Sequence, residues 1–175
     1  GIANVTIQLT GQTLTGDPVS QTQTTDADGR YVFGGLPAGA AYVLAEPDQP
    51  PGTVNGITVP GSSGGTATAP NTLPSQISAI GLLLNETATD YNFGEAPGAS
   101  ISGKVYIDEN LNGAFDAGEA GIPNVIVTLT GNDDLGQTVN APLPALAMAL
   151  VVNGSTATDA NGDYIFDTLR PGTYT

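Results

Sequence analysis

The sequence contains no cysteine, no histidine and no tryptophan, and only three of its 175 residues are basic. Without cysteine there is no disulfide framework, thiol nucleophile or zinc–thiolate site. Without histidine as well, no Ser-His-Asp or Cys-His nucleophile system can be built, and the commonest general base is missing. Catalysis by two carboxylates needs no histidine, but no aromatic platform accompanies the acidic residues. We therefore expect a protein that is not an enzyme.

The 17 acidic residues outweigh the basic ones and give a formal net charge of −14. Such a surface repels nucleic acid and anionic lipid, so neither is an expected partner, whereas divalent cations are attracted. The longest apolar run, 145–152, is far shorter than the about 18 residues that a membrane helix needs, so no membrane insertion is expected. Because neither an initiator methionine nor a signal peptide is present, we interpret the sequence as a portion of something longer.

Oxygen-bearing side chains recur at alternate positions in residues 108–119, and a glutamate closes the run. In the twelve-residue EF-hand loop, ligands come from positions 1, 3, 5, 7, 9 and 12, with glycine at position 6 for a sharp turn. In this sequence, the sixth position of the loop is occupied by Gly113. The ligand positions hold Asp108, Asn110, Asn112, Ala114 through its carbonyl, Asp116 and Glu119. The spacing predicts a Ca²⁺ site; the alternative is a polar turn rich in Asp and Asn that binds no metal.

The segments on either side of this loop, 101–107 and 122–130, are β-branched and partly alternating, which predicts strands instead of the helices of an EF-hand. The helix-opening mechanism of calcium sensors therefore has no counterpart here. Calcium is expected to stabilise the structure and not to act as a signal. Extracellular modules bind calcium weakly, at concentrations found outside cells. Together with the absence of thiols, this indicates an extracellular location on a bacterium.

Glycine and proline number 24 and 13, a composition typical of strands and turns. Strands are predicted at 5–9, 31–33, 41–45, 77–84 and 89–93. Residues 47–75 are predicted to form a long loop with one short strand at 57–59, and 95–98 a short linker. Short strands separated by turns favour an all-β chain of antiparallel β-sandwiches.

The chain contains an internal repeat, because residues 1–11 correspond to 121–131 and residues 25–33 correspond to 158–166. We predict two domains. Residues 1–97 form a repeat that lacks its first strand and the calcium loop, and residues 98–175 form the next repeat, which carries the loop 108–119 and lacks its last strands. Either the sequence is a window on a longer tandem array, or each chain completes its neighbour by strand exchange.

The segments 101–108, 121–129, 158–166 and 169–174, taken with the loop, resemble the B-type repeats of serine-aspartate-repeat surface adhesins. These are related to the collagen-adhesin B-type and transthyretin-like, immunoglobulin-like sandwich domains. The resemblance covers nearly all of 98–175 and, without the loop, 1–46. It implies a calcium-rigidified stalk at the bacterial surface, or a fibre made of such modules, whose partners are neighbouring copies of itself.

The resemblance also implies a candidate isopeptide bond, since collagen-adhesin B-type domains often carry a Lys–Asn cross-link promoted by an acidic residue. The candidate residues here are Lys104, Asn92 and Glu46. The link would have to cross from one repeat to the other. The alternative is that Lys104 is an edge charge that discourages strand pairing.

Two further features stay open at the level of sequence. The acidic turns at Asp26 and Asp28, and at Asp159, Asn161 and Asp163, fit either hairpin turns or a second metal site, and we favour turns. The apolar stretch 142–152 fits either an enlarged hairpin or a contact surface for a neighbouring subunit.

These observations support two functions. The first is a structural repeat of an extracellular bacterial stalk or filament, stiffened by calcium, with head-to-tail polymerisation as one form of the array. The second is an adhesive module that binds a host protein or glycan through loops such as 47–75.

Overall fold

The structure is a computed structural model that describes residues 1–139 and 155–175. Within these ranges the chain forms fourteen strands and no helix, and the strands pair in antiparallel fashion. The predicted all-β, antiparallel class is therefore confirmed. No membrane-spanning helix is found in the described ranges. The apolar stretch 142–152 lies outside the described residues.

Two compact units divide the chain, Gly1–Ala96 (unit 1) and Pro97–Thr175 (unit 2). The seven strands of unit 1 are β1 Thr6–Thr13, β2 Pro18–Thr24, β3 Gly39–Glu46, β4 Thr53–Val59, β5 Thr66–Ala67, β6 Ser75–Leu82 and β7 Asn92–Pro97, the last of which ends one residue past the boundary. Five of them form one sheet in the order β2-β1-β3-β6-β5, and β4 pairs with β7.

The core of unit 1 lies on one face of the five-stranded sheet. Exposure alternates along β1, so that Ile7 and Leu9 are buried while Gln8 points to solvent. The buried set consists of Ile7, Leu9, Tyr42, Leu44, Ile77, Ile80 and Tyr91. Phe93 of β7 packs against this set, so the β4–β7 pair contributes to the same core. Each fully buried apolar side chain of this size stabilises the unit by roughly 2 kcal/mol.

Unit 2 contains the strands β8 Ala99–Lys104, β9 Ile126–Thr128, β10 Gly131–Asp133, β11 Thr138–Val139, β12 Ser155–Ala157, β13 Asp163–Leu169 and β14 Gly172–Tyr174. β8 pairs with β13, β9 with β12, and β10 lies between β11 and β14. Leu129 and Phe166 are its buried large apolar side chains among the described residues. Arg170 is also buried and forms a bidentate ion pair with Asp134. Its Nε donates to Oδ1 at 2.8 Å and its Nη2 donates to Oδ2 at 3.1 Å.

A buried threonine makes the same two hydrogen bonds in each unit. In unit 1, the Thr25 hydroxyl accepts the Val5 N–H at 2.9 Å and donates to the Ile2 carbonyl at 2.8 Å. In unit 2, the Thr158 hydroxyl accepts from Val125 at 2.9 Å and donates to Ile122 at 2.7 Å. The sequence correspondence between 25–33 and 158–166 thus extends to specific hydrogen bonds.

Three local predictions were wrong. Residues 31–33 belong to no strand, although their counterparts in unit 2 lie in β13. A strand is defined by its ladder partner, and among the described residues none pairs with this segment. Glu95 lies inside β7 and not in a linker, and the predicted loop 47–75 contains the whole of β4 as well as β5. The short strand predicted at 57–59 is the end of β4, and the polar composition of the segment concealed the residues before it, which are partly or fully buried.

Thr25→Val should destabilise unit 1 by about 1–3 kcal/mol, because the isosteric side chain leaves the Val5 N–H and the Ile2 carbonyl without the buried hydroxyl. Urea denaturation followed by circular dichroism measures the change. Thr24→Val, at the exposed neighbouring position, is the matched control and should change the free energy of unfolding little. Equal effects of the two variants would contradict the assigned role of Thr25.

Candidate metal loop and a buried carboxyl pair

The loop 108–119 connects β8 to β9 and is closed at its base by backbone hydrogen bonds. The Ile107 N–H donates to the Ala120 carbonyl at 2.9 Å, and the Ile122 N–H donates to the Val105 carbonyl at 2.8 Å. Between these two hydrogen bonds, Tyr106 forms an isolated antiparallel β-bridge with Gly121. The loop therefore projects from a short, fixed stem.

Asp108 organises the first half of the loop. Its Oδ1 accepts the Asn112 N–H at 3.2 Å and its Oδ2 accepts the Gly113 N–H at 2.8 Å. Gly113 has a φ of 75°, in the left-handed region that glycine adopts without steric cost. The glycine at the sixth position thus performs the sharp turn that the spacing predicts.

Glu119 joins the two halves of the loop. One carboxylate oxygen accepts the Glu109 N–H at 3.1 Å, and the other accepts the Asp116 N–H at 2.9 Å. Because these two donors lie at the beginning and near the end of the loop, the last residue of the motif folds back onto both.

Asp116 is bound by the two asparagines. Its Oδ2 accepts from the side-chain amide of Asn110 at 2.8 Å and from that of Asn112 at 2.6 Å. These hydrogen bonds lower the pKa of the Asp116 carboxyl below its usual value because they favour the ionised form. Ala114 joins the set through its N–H, which donates to Asn112 Oδ1 at 2.7 Å.

The loop also carries an aromatic contact. The rings of Tyr106 and Phe115 meet edge to face with their centroids 5.3 Å apart. Partial desolvation raises the pKa of the Tyr106 hydroxyl, and the charges of Asp108, Glu119 and Asp116 raise it further.

The structure brings Asp108, Asn110, Asn112, Asp116 and Glu119 into one hydrogen-bonded set, with Ala114 attached through its amide. The donor set consists of carboxylate, amide and carbonyl oxygens, which suits a hard cation such as Ca²⁺. Within 1–139 and 155–175, however, no three carboxylates lie close enough to hold a metal by themselves. Any ion here would depend on the asparagines and the backbone, and the calcium assignment stays a prediction.

The amino group of Lys104 is engaged within unit 2. It lies 2.8 Å from the Asp163 carboxylate and donates to the Asn161 carbonyl at 2.7 Å. It also stands 4.7 Å from the centroid of the Phe115 ring, a cation–π contact. With its side chain 24% exposed, Lys104 is a partnered, half-buried cation at the end of β8.

The carboxylates of Asp26 and Asp159 each stabilise the hairpin turn in which they lie. Asp26 Oδ1 accepts the N–H groups of Asp28 and Arg30 at 2.9 and 2.8 Å, and Asp159 Oδ1 accepts those of Asn161 and Asp163 at 2.8 and 2.9 Å. These backbone hydrogen bonds lower the pKa of Asp26 and of Asp159. Both carboxylates are therefore used in shaping the hairpin, which is the interpretation that the sequence favours.

A pair of carboxyl groups lies in the interior of unit 1. Glu46, at the end of β3, is 2% exposed and shares a hydrogen bond with Glu95 of β7. Glu95 also accepts from the side-chain amide of Gln49. A hydrogen bond between two carboxyl groups requires a proton on one of them. Burial raises the pKa of Glu46 to about 7, with the charge of Glu95 as a further cause.

This pair lines a cavity of about 430 Å³. The cavity is bounded by Tyr31, Asn92 and Phe93, and the Tyr31 hydroxyl donates to the Tyr91 carbonyl at 2.7 Å. Burial, followed by the charge of Glu46, raises the pKa of Tyr31. Asn92 and Glu46, two of the three residues proposed for an isopeptide bond, thus line the same cavity, and the bond itself stays a prediction.

The sequence interpretation missed Glu95, although a signal was present. Residues two apart on a strand share a face, and Phe93 is an apolar residue that must point inward. Glu95 therefore faces the interior with it. The Ala-Pro-Gly that follows Glu95 suggested a linker, so the alternation of inward and outward side chains was not extended to Glu95.

Three staphylococcal proteins resemble the chain over 99% of its length. It is 31% identical to the bone sialoprotein-binding protein of Staphylococcus aureus strain MRSA252. It is 32% identical to serine-aspartate repeat-containing protein E of strain Mu50 and 30% identical to serine-aspartate repeat-containing protein D of strain Newman. The chain spans only 11 to 13% of the length of these relatives. The class is that of bacterial surface proteins with B-type repeats.

Residues 99–175 match the SdrD B-like domain. This part of the chain is a repeat of that family, as the resemblance in the sequence predicts, and the relatives above match across the rest of the chain as well. The predicted extracellular location at the bacterial surface is confirmed with it. No solved structure matches the chain.

The raised pKa of Glu46 predicts that unit 1 loses stability as the pH rises from about 4.5 through about 7. The folded state keeps the proton in this window whereas the unfolded chain releases it, so deprotonation costs on the order of 3 kcal/mol. Thermal unfolding between pH 5 and 8 measures the effect. Glu46→Gln should flatten the dependence, and Asp48→Asn, at an exposed position, should leave it intact. An unchanged slope in Glu46→Gln would contradict the assignment.

Proposed function

We propose that the chain is a structural repeat of an extracellular bacterial stalk or filament, and that calcium bound at 108–119 stiffens it. Membership in a family of surface-protein repeats supports a structural role rather than an enzymatic one. The proposal includes the finer architecture, in which each unit is part of an immunoglobulin-like, B-type sandwich and the units follow one another in tandem.

The observation that supports the calcium proposal is that Asp108, Asp116 and Glu119 belong to one hydrogen-bonded loop of EF-hand spacing. Both oxygens of Asp108 and both of Glu119 accept backbone N–H groups, and these hydrogen bonds hold the loop backbone in a curve. Carboxylate oxygens can bridge an N–H group and a metal because each has two lone pairs.

At Asp116, the side-chain amides of Asn110 and Asn112 supply the positive end of a dipole to the carboxylate. A calcium ion at the centre would take over that role, with both asparagines presenting their oxygens to it. Three carboxylates and two neutral amides would surround the ion, a charge count that suits moderate affinity. This matches the weak binding that extracellular calcium modules show.

Glu119→Ala should abolish any rise in melting temperature that calcium produces in the chain. An ion that binds only the folded unit stabilises it by about 2.7 kcal/mol at a hundredfold excess over its dissociation constant. Glu109→Ala is the matched control: its side chain occupies a non-ligand position of the same loop, and the rise should persist. Differential scanning calorimetry with calcium and with chelator provides the measurement. A rise that survives in Glu119→Ala would exclude the loop as the site.

The proposed array is tested separately by negative-stain electron microscopy of the purified chain. We expect elongated assemblies in calcium that loosen when a chelator is added, because the carboxylates of the loop then repel one another. Isolated particles under both conditions would show that this chain does not polymerise head to tail. They would leave the calcium result above unaffected, since that concerns a single unit.

A second candidate function is adhesion to a host protein or glycan. The observation that favours it is the name of one relative, which describes a bone sialoprotein-binding protein. The chain corresponds to 13% of that protein, so the binding activity would have to lie in this portion. The segment 47–75 offers less free loop than the sequence suggests, because β4 and β5 occupy part of it.

A further inference from the structure

Four asparagines in the chain are followed directly by glycine, a pair that readily loses the side-chain amide of the asparagine. In this reaction the backbone nitrogen of the following residue attacks Cγ of the asparagine and closes a five-membered imide ring. Glycine favours ring closure because it has no side chain in the way and its backbone rotates freely. The four asparagines are Asn55, Asn112, Asn153 and Asn161, of which Asn153 lies outside the described residues.

Two of the described pairs are held in place by surrounding backbone. Asn55 is 3% exposed inside β4, and a Cβ on Gly56 would lie 2.6 Å from a carbonyl oxygen of β7. Gly162 is buried, its N–H donates to the Asp159 main-chain carbonyl at 3.1 Å, and its own carbonyl accepts the Val105 N–H at 2.8 Å. Because these contacts fix both glycines, ring closure there would require opening of the strand or of the turn.

The pair formed by Asn112 and Gly113, in contrast, lies exposed in the loop 108–119. A Cβ added to Gly113 would meet no atom of the described residues within 4 Å, so the backbone there has space to move. The Gly113 N–H donates to Asp108 Oδ2 at 2.8 Å. A carboxylate in this position accepts the proton that the nitrogen must lose in order to attack.

The side chain of Asn112 is polarised by a second contact. Its Oδ1 accepts the Ala114 N–H at 2.7 Å. A donor on this oxygen stabilises the negative charge that develops there when Cγ is attacked, as in an oxyanion hole. The attacking nitrogen thus has a proton acceptor, the attacked carbonyl has a hydrogen-bond donor, and the fold of the loop supplies both.

We propose that Asn112 is a site of spontaneous deamidation in the folded chain. The Gly113 nitrogen bonds to Cγ of Asn112 and the bond from Cγ to Nδ2 breaks. The proton released by the Gly113 nitrogen passes through the Asp108 carboxylate to the departing nitrogen, which leaves as ammonia. Water then opens the imide at either carbonyl and leaves aspartate or isoaspartate at position 112. Water is consumed, ammonia is released, and no other reactant is needed.

Deamidation also changes the forces inside the loop. Asn112 Nδ2 donates to Asp116 Oδ2 at 2.6 Å, and in the aspartate product a carboxylate oxygen takes the place of that donor. Two negative charges then face each other where a hydrogen bond stood before. The proposal therefore includes a weakening of the loop with age, strongest where few ions screen the repulsion. It goes beyond the proposed function and does not depend on calcium.

The test follows the whole chain over time in mildly alkaline buffer with chelator. Cleavage after Glu109 and Glu119 isolates residues 110–119, and tandem mass spectrometry locates each amide that is lost. A parallel sample in guanidinium chloride gives the rates without a fold, and there we expect Asn112 and Asn161 to react alike. In the folded chain, Asn112 should react at least about tenfold faster than Asn161.

Two variants separate the chemistry from simple exposure. Asp108→Asn removes the proton acceptor and should slow the loss of the amide at Asn112 by at least about fivefold. Glu109→Gln removes the same charge from the neighbouring position and should leave the rate within about twofold. The proposal is overturned if Asn112 keeps its amide while the denatured chain loses it, if Asn161 reacts as fast in the folded chain, or if the two variants react alike.

The effect of the product on the loop is measured with Asn112→Asp, which has the sequence of the aspartate product. Its melting temperature in chelator and low salt should lie about 2–5 °C below that of the parent, and added sodium chloride should restore most of the loss. Asn85→Asp adds the same charge at an exposed position of unit 1 and should change the melting temperature little. Equal shifts in the two variants would overturn the weakening that the proposal includes.

Discussion

The chain has seventeen acidic side chains and only three basic ones, so ion pairs can stabilise only a minority of the acidic residues. The carboxylates instead accept backbone N–H groups, as Asp26, Asp108 and Asp159 do. Each such residue fixes the turn in which it lies, because two donors converge on one side chain. Acidic composition and β architecture are therefore linked: the charges that repel one another across the surface are the groups that bend the chain between strands.

Two places depart from this pattern, and they are the two candidate sites. In the loop 108–119, Asp116 and Glu119 have amide and N–H donors as their partners instead of a cation. In unit 1, Glu46 and Glu95 meet away from water and share a hydrogen bond, which needs a bound proton near neutral pH. The exposed group of charges suits a cation from solution. The repulsion between the two carboxyl groups of the buried pair is relieved by protonation of Glu46, whose pKa is raised.

Much of this organisation follows from local sequence. The turn at 25–30 and the sharp turn at Gly113 were predictable because Asp, Asn and Gly at fixed spacing allow few backbone conformations. Strand partners were not. Residues 31–33 read as a strand because their side chains alternate, and the structure keeps the alternation without the ladder. Glu95 was misassigned because Pro and Gly nearby suggested a linker, while its burial depends on β3, which is distant in sequence.

Contacts within unit 2 connect the loop to the rest of its sheet. Phe115 lies in the loop and contacts both Tyr106 of the stem and the ammonium of Lys104 at the end of β8. Lys104 in turn binds the turn that precedes β13, through Asn161 and Asp163. An ion that ordered the loop would thus restrict Phe115, and with it the lysine that holds β8 to β13. Because each link is a direct contact, we expect that stiffness gained in the loop would reach the strand pair without a change of fold.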